Sequence, residues 1–183
     1  MQGLAYHQVR ALSWFDAKEV WVMLQPPVRG FNRSALSRRR QAENLSIAEL
    51  GVRADIAASV LSRWESGQAS PTPELLRRVA DAMGVSTTEF VDTPAEDMTL
   101  ADLRSLAGFS QRSLARHLGI PFKAVAKLEQ GLIDMDDKRA TTLAAALDVD
   151  VAELHDAYRR GARRWLRQRL VELEAQQPAA ASA

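Results

Sequence analysis

Arginine is the residue type with the clearest chemical potential in this chain, because its guanidinium group suits both phosphates and carboxylates. One run occupies positions 38–40. A second cluster, near the C-terminus, consists of Arg159, Arg160, Arg163, Arg164, Arg167 and Arg169. The net charge is only +1, so any affinity for an anionic partner must come from this distribution. The alternative interpretation is that these runs are simply solvated faces.

Residues for catalysis or metal binding are not arranged as those chemistries require. The 183 residues include no cysteine, which excludes disulfides and thiolate zinc sites and is compatible with a reducing cytoplasm. The three histidines, His7, His117 and His155, are far apart and show no metal-ligand spacing. We find no Ser/His/Asp arrangement, glycine-rich phosphate loop or plausible carboxylate pair. The sequence therefore predicts no enzymatic activity, no metal and no cofactor.

The chain repeats itself without a gap at an offset of 64 residues, the interval from Glu65 to Glu129. Landmarks of the two copies coincide: Arg40/Arg104, Ser46/Ser110, Leu50/Leu114, Ile56/Ile120, Gly67/Gly131, Val85/Val149 and Glu89/Glu153. Two copies of one unit predict two domains of the same architecture. A unit of about 60 residues buries only a modest core, so each should be a compact helical module.

Capping residues and glycines divide the first copy into helices. We expect Ser34 to cap the first helix, Ser46 to cap the second in a capping box with Glu49, and Gly67 to end the third. A fourth helix is predicted after Thr72, where a proline and an acid follow the cap, and a short fifth after Ser86.

The second copy follows the same plan but ends differently. Its helices are predicted to begin near Thr99, Ser110, Pro121 and Asp136, and the last to run from about Asp150 past Leu170. The predicted fold class is all-α, with two tandem five-helix domains and an extended C-terminal helix on the second. We place the boundaries at residues 1–30 for an N-terminal extension, 31–94 and 95–158 for the two domains, and 159–183 for the helix extension and tail.

Two helices joined by a tight turn form the centre of each copy. Residues 110–131 read SQRSLARHLGIPFKAVAKLEQG, and residues 45–67 read LSIAELGVRADIAASVLSRWESG. Both resemble the lambda-repressor-like, or XRE-family, helix-turn-helix, with its L/F-S-Q-x-x-L-A pattern, G-V/I turn, and third helix ending in E-x-G. The resemblance covers about residues 34–91 and 99–155. It implies a cytoplasmic, bacterial or phage-encoded regulator, a repressor, that binds double-stranded DNA.

Carried over position by position, the resemblance implies which residues contact DNA. In this fold the third helix enters the major groove, and the N-terminus of the second faces a phosphate. The base-facing positions are Ala58, Ser59, Ser62 and Arg63 in the first copy and Phe122, Lys123, Ala126 and Lys127 in the second. Ser46, Gln111 and Arg53 are the phosphate candidates. The resemblance also implies structural ion pairs, Arg40 with Glu65 and Arg104 with Glu129.

Both copies depart from the family pattern. The first has Ile47 where a phosphate-contacting glutamine is expected, and Gln111 occupies that position in the second. The second has an acidic loop, 132–137, where the family approaches the DNA backbone. Since the base-facing residues differ, we expect either two unlike half-sites or one DNA-reading copy and one scaffold or dimerisation copy. We incline to the second copy as the scaffold.

The segments outside the repeat leave further alternatives open. Residues 1–22 are either a short amphipathic element or a translation artefact upstream of a native start at Met23. On the terminal helix, Trp165, Leu166, Leu170 and Leu173 recur at helical intervals. They either fold back on the second domain or form a surface for a homodimer or a protein partner, so a protein-interaction module is the alternative function. No apolar run reaches membrane-spanning length, so no membrane partner is expected.

Overall fold

The computed structural model of the protein describes residues 26–176, which form nine α-helices and no strands. The alternatives for residues 1–22, the Met23 start and the tail after Pro178 lie outside the described residues. The first copy contains α1 (Arg33–Ala42), α2 (Ile47–Ala54), α3 (Ala58–Glu65), α4 (Pro73–Ala82) and a 3₁₀ helix (Thr87–Phe90). After a second 3₁₀ turn (Ala95–Asp97) come α5 (Leu100–Leu106), α6 (Gln111–Leu118), α7 (Phe122–Glu129), α8 (Asp137–Leu147) and α9 (Val151–Gln176). The all-α prediction is confirmed, including the long last helix.

The helix starts follow the capping residues with one exception. Ser46 and Glu49 form the expected capping box, and Thr99 forms one with Asp102. The Ser34 cap is wrong: Asn32 accepts a hydrogen bond from the Ala35 backbone at 2.8 Å, so α1 begins one residue before Ser34. Asparagine caps a helix as well as serine does. Asn32 has the extended backbone of an N-cap residue, so the helix begins at Arg33.

Each copy has its own hydrophobic core, built from equivalent positions. Leu36, Leu50, Leu61, Trp64, Val79 and Phe90 are buried in the first, and Leu100, Leu114, Val125, Leu128, Leu143 and Leu154 replace them in the second. Leu128 is smaller than Trp64, and the second core additionally includes Ala157 and Tyr158 of α9. The Tyr158 hydroxyl donates to the Ile133 carbonyl at 3.0 Å. The long helix is therefore part of the second core as well as an extension from it.

The segment before α1 packs on the first copy. Val28 is buried, and its amide donates to the Pro71 carbonyl at 2.9 Å. Phe31 pairs with Val91 in an antiparallel bridge and lies edge-on to Trp64, with ring centroids 6.4 Å apart. This short pairing holds the beginning of the first copy beside its end.

Direct contacts join the second copy to the first copy and to the segment before it. The buried Thr87 hydroxyl donates to the Leu106 carbonyl at 2.7 Å. Arg29 donates to both carboxylate oxygens of Asp102, at 2.8 and 2.5 Å. The relative position of the two domains is therefore set by these contacts as well as by the linker. None of the helices between Pro26 and Gln176 is long and apolar enough to cross a membrane.

Candidate nucleic-acid interface

The outer face of α3 is an exposed polar surface of the first domain. Leu61 and Trp64 are buried on the inner side, and helical spacing turns Ala58, Ser59, Ser62 and Arg63 outward, where all four are exposed. No side chain caps the start of α3, because its N-cap is Ala57. The first backbone N–H groups of this helix therefore remain available to an acceptor.

Arg63 is the residue on this face best suited to base recognition. Its guanidinium makes no hydrogen bond or ion pair with any other residue in the range 26–176. Arg53, at the end of α2, is likewise exposed and outside ion-pair distance of any carboxylate in that range. Ser46 is already engaged, because its hydroxyl oxygen accepts the Glu49 amide at 3.1 Å. The hydrogen bonds in this capping box hold the pKa of the Glu49 carboxyl below its usual value.

A side chain from α4 fixes the turn between α2 and α3. Arg78 donates from Nε to the Ala54 carbonyl at 2.9 Å and from its terminal nitrogen to Asp55 Oδ2 at 2.6 Å. Asp55 itself takes a left-handed backbone, with φ of 52°. The guanidinium satisfies carbonyls at the end of α2, where a cation is also favoured by the helix dipole. The angle at which α3 leaves the turn is thereby held by α4.

The first ion pair joins α1 to the end of α3. Arg40 contacts Glu65 through two parallel hydrogen bonds, Nε to Oε1 at 2.7 Å and the terminal nitrogen to Oε2 at 2.8 Å. Its third nitrogen donates to the Leu45 carbonyl at 2.7 Å. The hydrogen bonds to Glu65 raise the pKa of the Arg40 guanidinium. Both side chains are about nine-tenths buried, so the pair holds α3 against the scaffold rather than offering charge to a ligand.

The second ion pair is arranged differently. Arg104 Nε donates to Glu129 Oε1 at 2.5 Å and its terminal nitrogen to the Phe109 carbonyl at 2.7 Å. The other carboxylate oxygen of Glu129 accepts from Gln111 Nε2 at 2.6 Å. Gln111 is therefore partly buried against its own domain. An amide nitrogen carries two N–H groups, so one remains beyond the bond to Glu129.

A groove of about 580 Å³ runs between the outer face of α7 and the terminal helix α9. Phe122 and Ala126 of α7 line it together with Trp165 and Gln168 of α9, and residues of α5, α6 and the segment before α1 also contribute to the lining. The helix is held there by close packing, because a Cβ on Gly161 would lie 2.8 Å from the Glu129 carbonyl oxygen. Arg160 also donates to the Met98 carbonyl at 2.6 Å. Two of the four predicted base-facing residues of α7, Phe122 and Ala126, therefore lie in a groove shared with α9.

The two lysines of α7 lie outside this groove. Lys123 and Lys127 are exposed, and neither makes an ion pair in the described part of the chain. Phe122 is 46% exposed, with the Arg112 guanidinium 5.7 Å from its ring centroid. In the acidic loop, Asp136 caps α8 and pairs with Arg139. That pair reduces the negative charge the loop would present to a phosphate.

Comparison with known proteins assigns the family. A helix-turn-helix family model matches residues 36–90 and again residues 100–154, together more than half of the chain. The chain thus belongs to the XRE-type helix-turn-helix family, as two tandem copies, and is a DNA-binding regulator of that type. No curated protein and no solved structure matches it significantly.

Sequence reasoning missed one feature of this region and left another open. Nothing in the repeat pointed to Arg78, whose counterpart at the 64-residue offset is Thr142. Of the two alternatives for the terminal helix, folding back on the second domain holds for Trp165, which lines the groove, whereas Leu166 and Leu170 are exposed. The position of Trp165 three turns from Leu154 on the inner face of the helix was the available signal. Between residues 26 and 176, no cluster of three or more His, Asp or Glu side chains could hold a metal ion.

Proposed function

We propose that the protein is a sequence-specific repressor that reads bases in the major groove with α3 of the first domain. The observation that carries the proposal is the exposed outer face of α3, with Arg63 unengaged beside Ser59 and Ser62. An arginine donates two parallel hydrogen bonds to a guanine edge, and serine hydroxyls contact any base. Ala58 at the first position lets the backbone approach closely.

The second domain has a supporting part in this proposal. Lys123 and Lys127 extend from α7 outside the groove and are suited to phosphates or guanine. Phe122, which the resemblance places against a base, is instead flanked by α9. Gln111 retains one N–H for a phosphate beside the helix N-terminus of α6. This domain therefore adds affinity and fixes orientation, while the first supplies most of the sequence preference.

Repression is the proposed output, and it requires that the bound site overlap a promoter, so that the protein excludes polymerase. The alternative function, a protein-interaction module, is favoured by one observation: Leu166, Leu170 and Leu173 are exposed on the extension of α9. The two functions are compatible, since one surface lies on the first domain and the other at the end of the chain.

Selection of bound sequences from a random pool of DNA duplexes tests the proposal. We expect enrichment of a defined sequence by the purified full-length chain. Affinity for that sequence should fall steeply with salt, by roughly a thousand-fold between 50 and 200 mM if about six phosphates are contacted. No enrichment above the starting pool, or affinity unchanged by salt, would overturn it and favour the protein-interaction function.

A further inference from the structure

The extension of α9 has two faces of different character. Gly161, Arg164, Trp165 and Gln168 line the groove against the second domain. Leu170 follows Gly161 by nine residues, which is two and a half turns, so it lies on the opposite side of the helix. Leu166 and Leu173 flank it at intervals of four and three residues, and the three are 54%, 58% and 46% exposed. An apolar stripe therefore faces away from the molecule.

The charges beside the stripe complement one another along the helix. Arg167 directly follows Leu166, and Glu174 directly follows Leu173, seven residues later on the same flank. Neither is engaged in an ion pair within residues 26–176. A second copy of the helix, running in the opposite direction, would bring Arg167 opposite Glu174 twice, once on each side of a two-fold axis.

We propose that the leucine stripe of α9 pairs antiparallel with the same stripe of a second copy of this chain. The two Leu170 side chains meet at the axis, and Leu166 of each copy meets Leu173 of the other. Repeats of four and three residues are the spacing at which paired helices interlock. Arg167 and Glu174 then form two ion pairs on the flanks.

The parallel arrangement is disfavoured by Arg163. This residue lies three positions before Leu166 and continues the stripe toward the N-terminus. In a parallel pair it would face Arg163 of the second copy, and like charges at that position repel. In the antiparallel pair it comes near Gln176 instead, which is uncharged. In the antiparallel pair, therefore, no position of the stripe faces a like charge.

Sedimentation of the full-length protein without DNA tests the pairing, so its outcome is independent of the proposed function. The wild type should show twice the monomer mass of 20.2 kDa at micromolar concentration and above. Leu170→Asp should reduce it to the monomer mass. Val171→Asp is the matched control, because Val171 is exposed but lies off the stripe, and it should leave the dimer intact. A monomeric wild type, or equal loss in both variants, would overturn the proposal.

Cysteine cross-linking tests the direction, and the chain has no native cysteine to interfere. Leu170→Cys should form a disulfide-linked dimer on mild oxidation. Leu166→Cys mixed with Leu173→Cys should cross-link mainly as the mixed pair. Efficient cross-linking of Leu166→Cys with itself, and none in the mixture, would mean a parallel pair and overturn the arrangement proposed here.

Discussion

Gln111 donates a hydrogen bond of 2.6 Å to Glu129, and this contact distinguishes the second domain from the first. In the first domain Ile47 takes the place of the glutamine, and Arg40 occupies both oxygens of Glu65. In the second, Arg104 and Gln111 take one oxygen each. A single substitution between the copies therefore redistributes the donors around a shared carboxylate. It also connects the N-terminus of α6 to the end of α7.

Glu129→Gln should strongly destabilise the protein. The change removes the charge that compensates the nearly buried guanidinium of Arg104, and breaking a buried pair in this way costs about 3–5 kcal/mol. The free energy of unfolding by urea measures it. Glu172→Gln serves as control, because its pair with Arg169 is about half exposed and should contribute less than about 1 kcal/mol. If the free energy of unfolding fell by less than about 1 kcal/mol in both variants, the Arg104–Glu129 pair would not stabilise the domain.

Gly108→Ala should destabilise the contact between the domains. A Cβ at this position would lie 2.8 Å from Cβ and 2.9 Å from Cγ of Arg77 on α4. Gly84→Ala is the control: it has a similar left-handed φ, 65° against 80°, but no atom within 4 Å of the added Cβ. Both variants share the backbone strain of about 1 kcal/mol, and overpacking should add about 1–3 kcal/mol at Gly108 alone. Equal midpoints of thermal unfolding would argue against a tight contact there.

Asp102→Asn should lower stability at neutral pH but not in acid. Burial alone would raise the pKa of Asp102, but hydrogen bonds from Arg29 and Thr99 outweigh it and hold the pKa below its usual value. The charged contact therefore stabilises the folded state above the unfolded pKa of about 3.9, and is lost as the pH falls through the lowered value. We expect the free energy of unfolding of Asp102→Asn, measured with urea, to be about 1.5–3 kcal/mol lower than that of the wild type at pH 7.

The pH dependence separates this contact from general surface charge. The difference in the free energy of unfolding between the wild type and Asp102→Asn should close as the pH falls below about 4. Glu96→Gln is the control, because the Glu96 side chain is exposed and forms no ion pair within residues 26–176. A gap that stays constant down to pH 2 would assign the loss to capping or packing instead.

Pairing through α9 should be visible in the DNA that the protein selects. A dimer presents two copies of α3 about a two-fold axis, so the wild type should enrich an inverted repeat. The monomeric Leu170→Asp variant should enrich the same element once, with lower affinity. Val171→Asp should behave as the wild type. If Leu170→Asp also selects the inverted repeat, the symmetry of the site does not come from α9.

Most of the fold could be predicted from the repeat, because the two copies share the positions that build helices and cores. Local rules of capping and spacing account for the helix-turn-helix pairs, the capping box of Ser46 with Glu49 and the length of α9. The pairing of Arg40 with Glu65 followed from the family resemblance. These features depend on residues close in sequence or related by the repeat.

The contacts between segments could not be predicted in the same way. Arg29 lies before the repeat and has no counterpart, so nothing indicated that it would pair with Asp102. Thr87 is buried against Leu106, whereas its counterpart Val151 is 40% exposed, because the two domains pack through unlike faces. The groove beside α7 likewise depends on where α9 crosses, and that position is fixed by the packing of Gly161 and by the hydrogen bonds of Tyr158 and Arg160.

The central claim is that Arg63 on α3 reads a base, and sequence selection with the Arg63→Ala variant tests it most directly. We predict that this variant binds the wild-type site about 1–3 kcal/mol more weakly and loses the preference at one base pair of each half-site. Lys127→Ala should bind more weakly while selecting the same sequence. An Arg63→Ala variant that enriches the wild-type sequence with unchanged affinity would contradict the account.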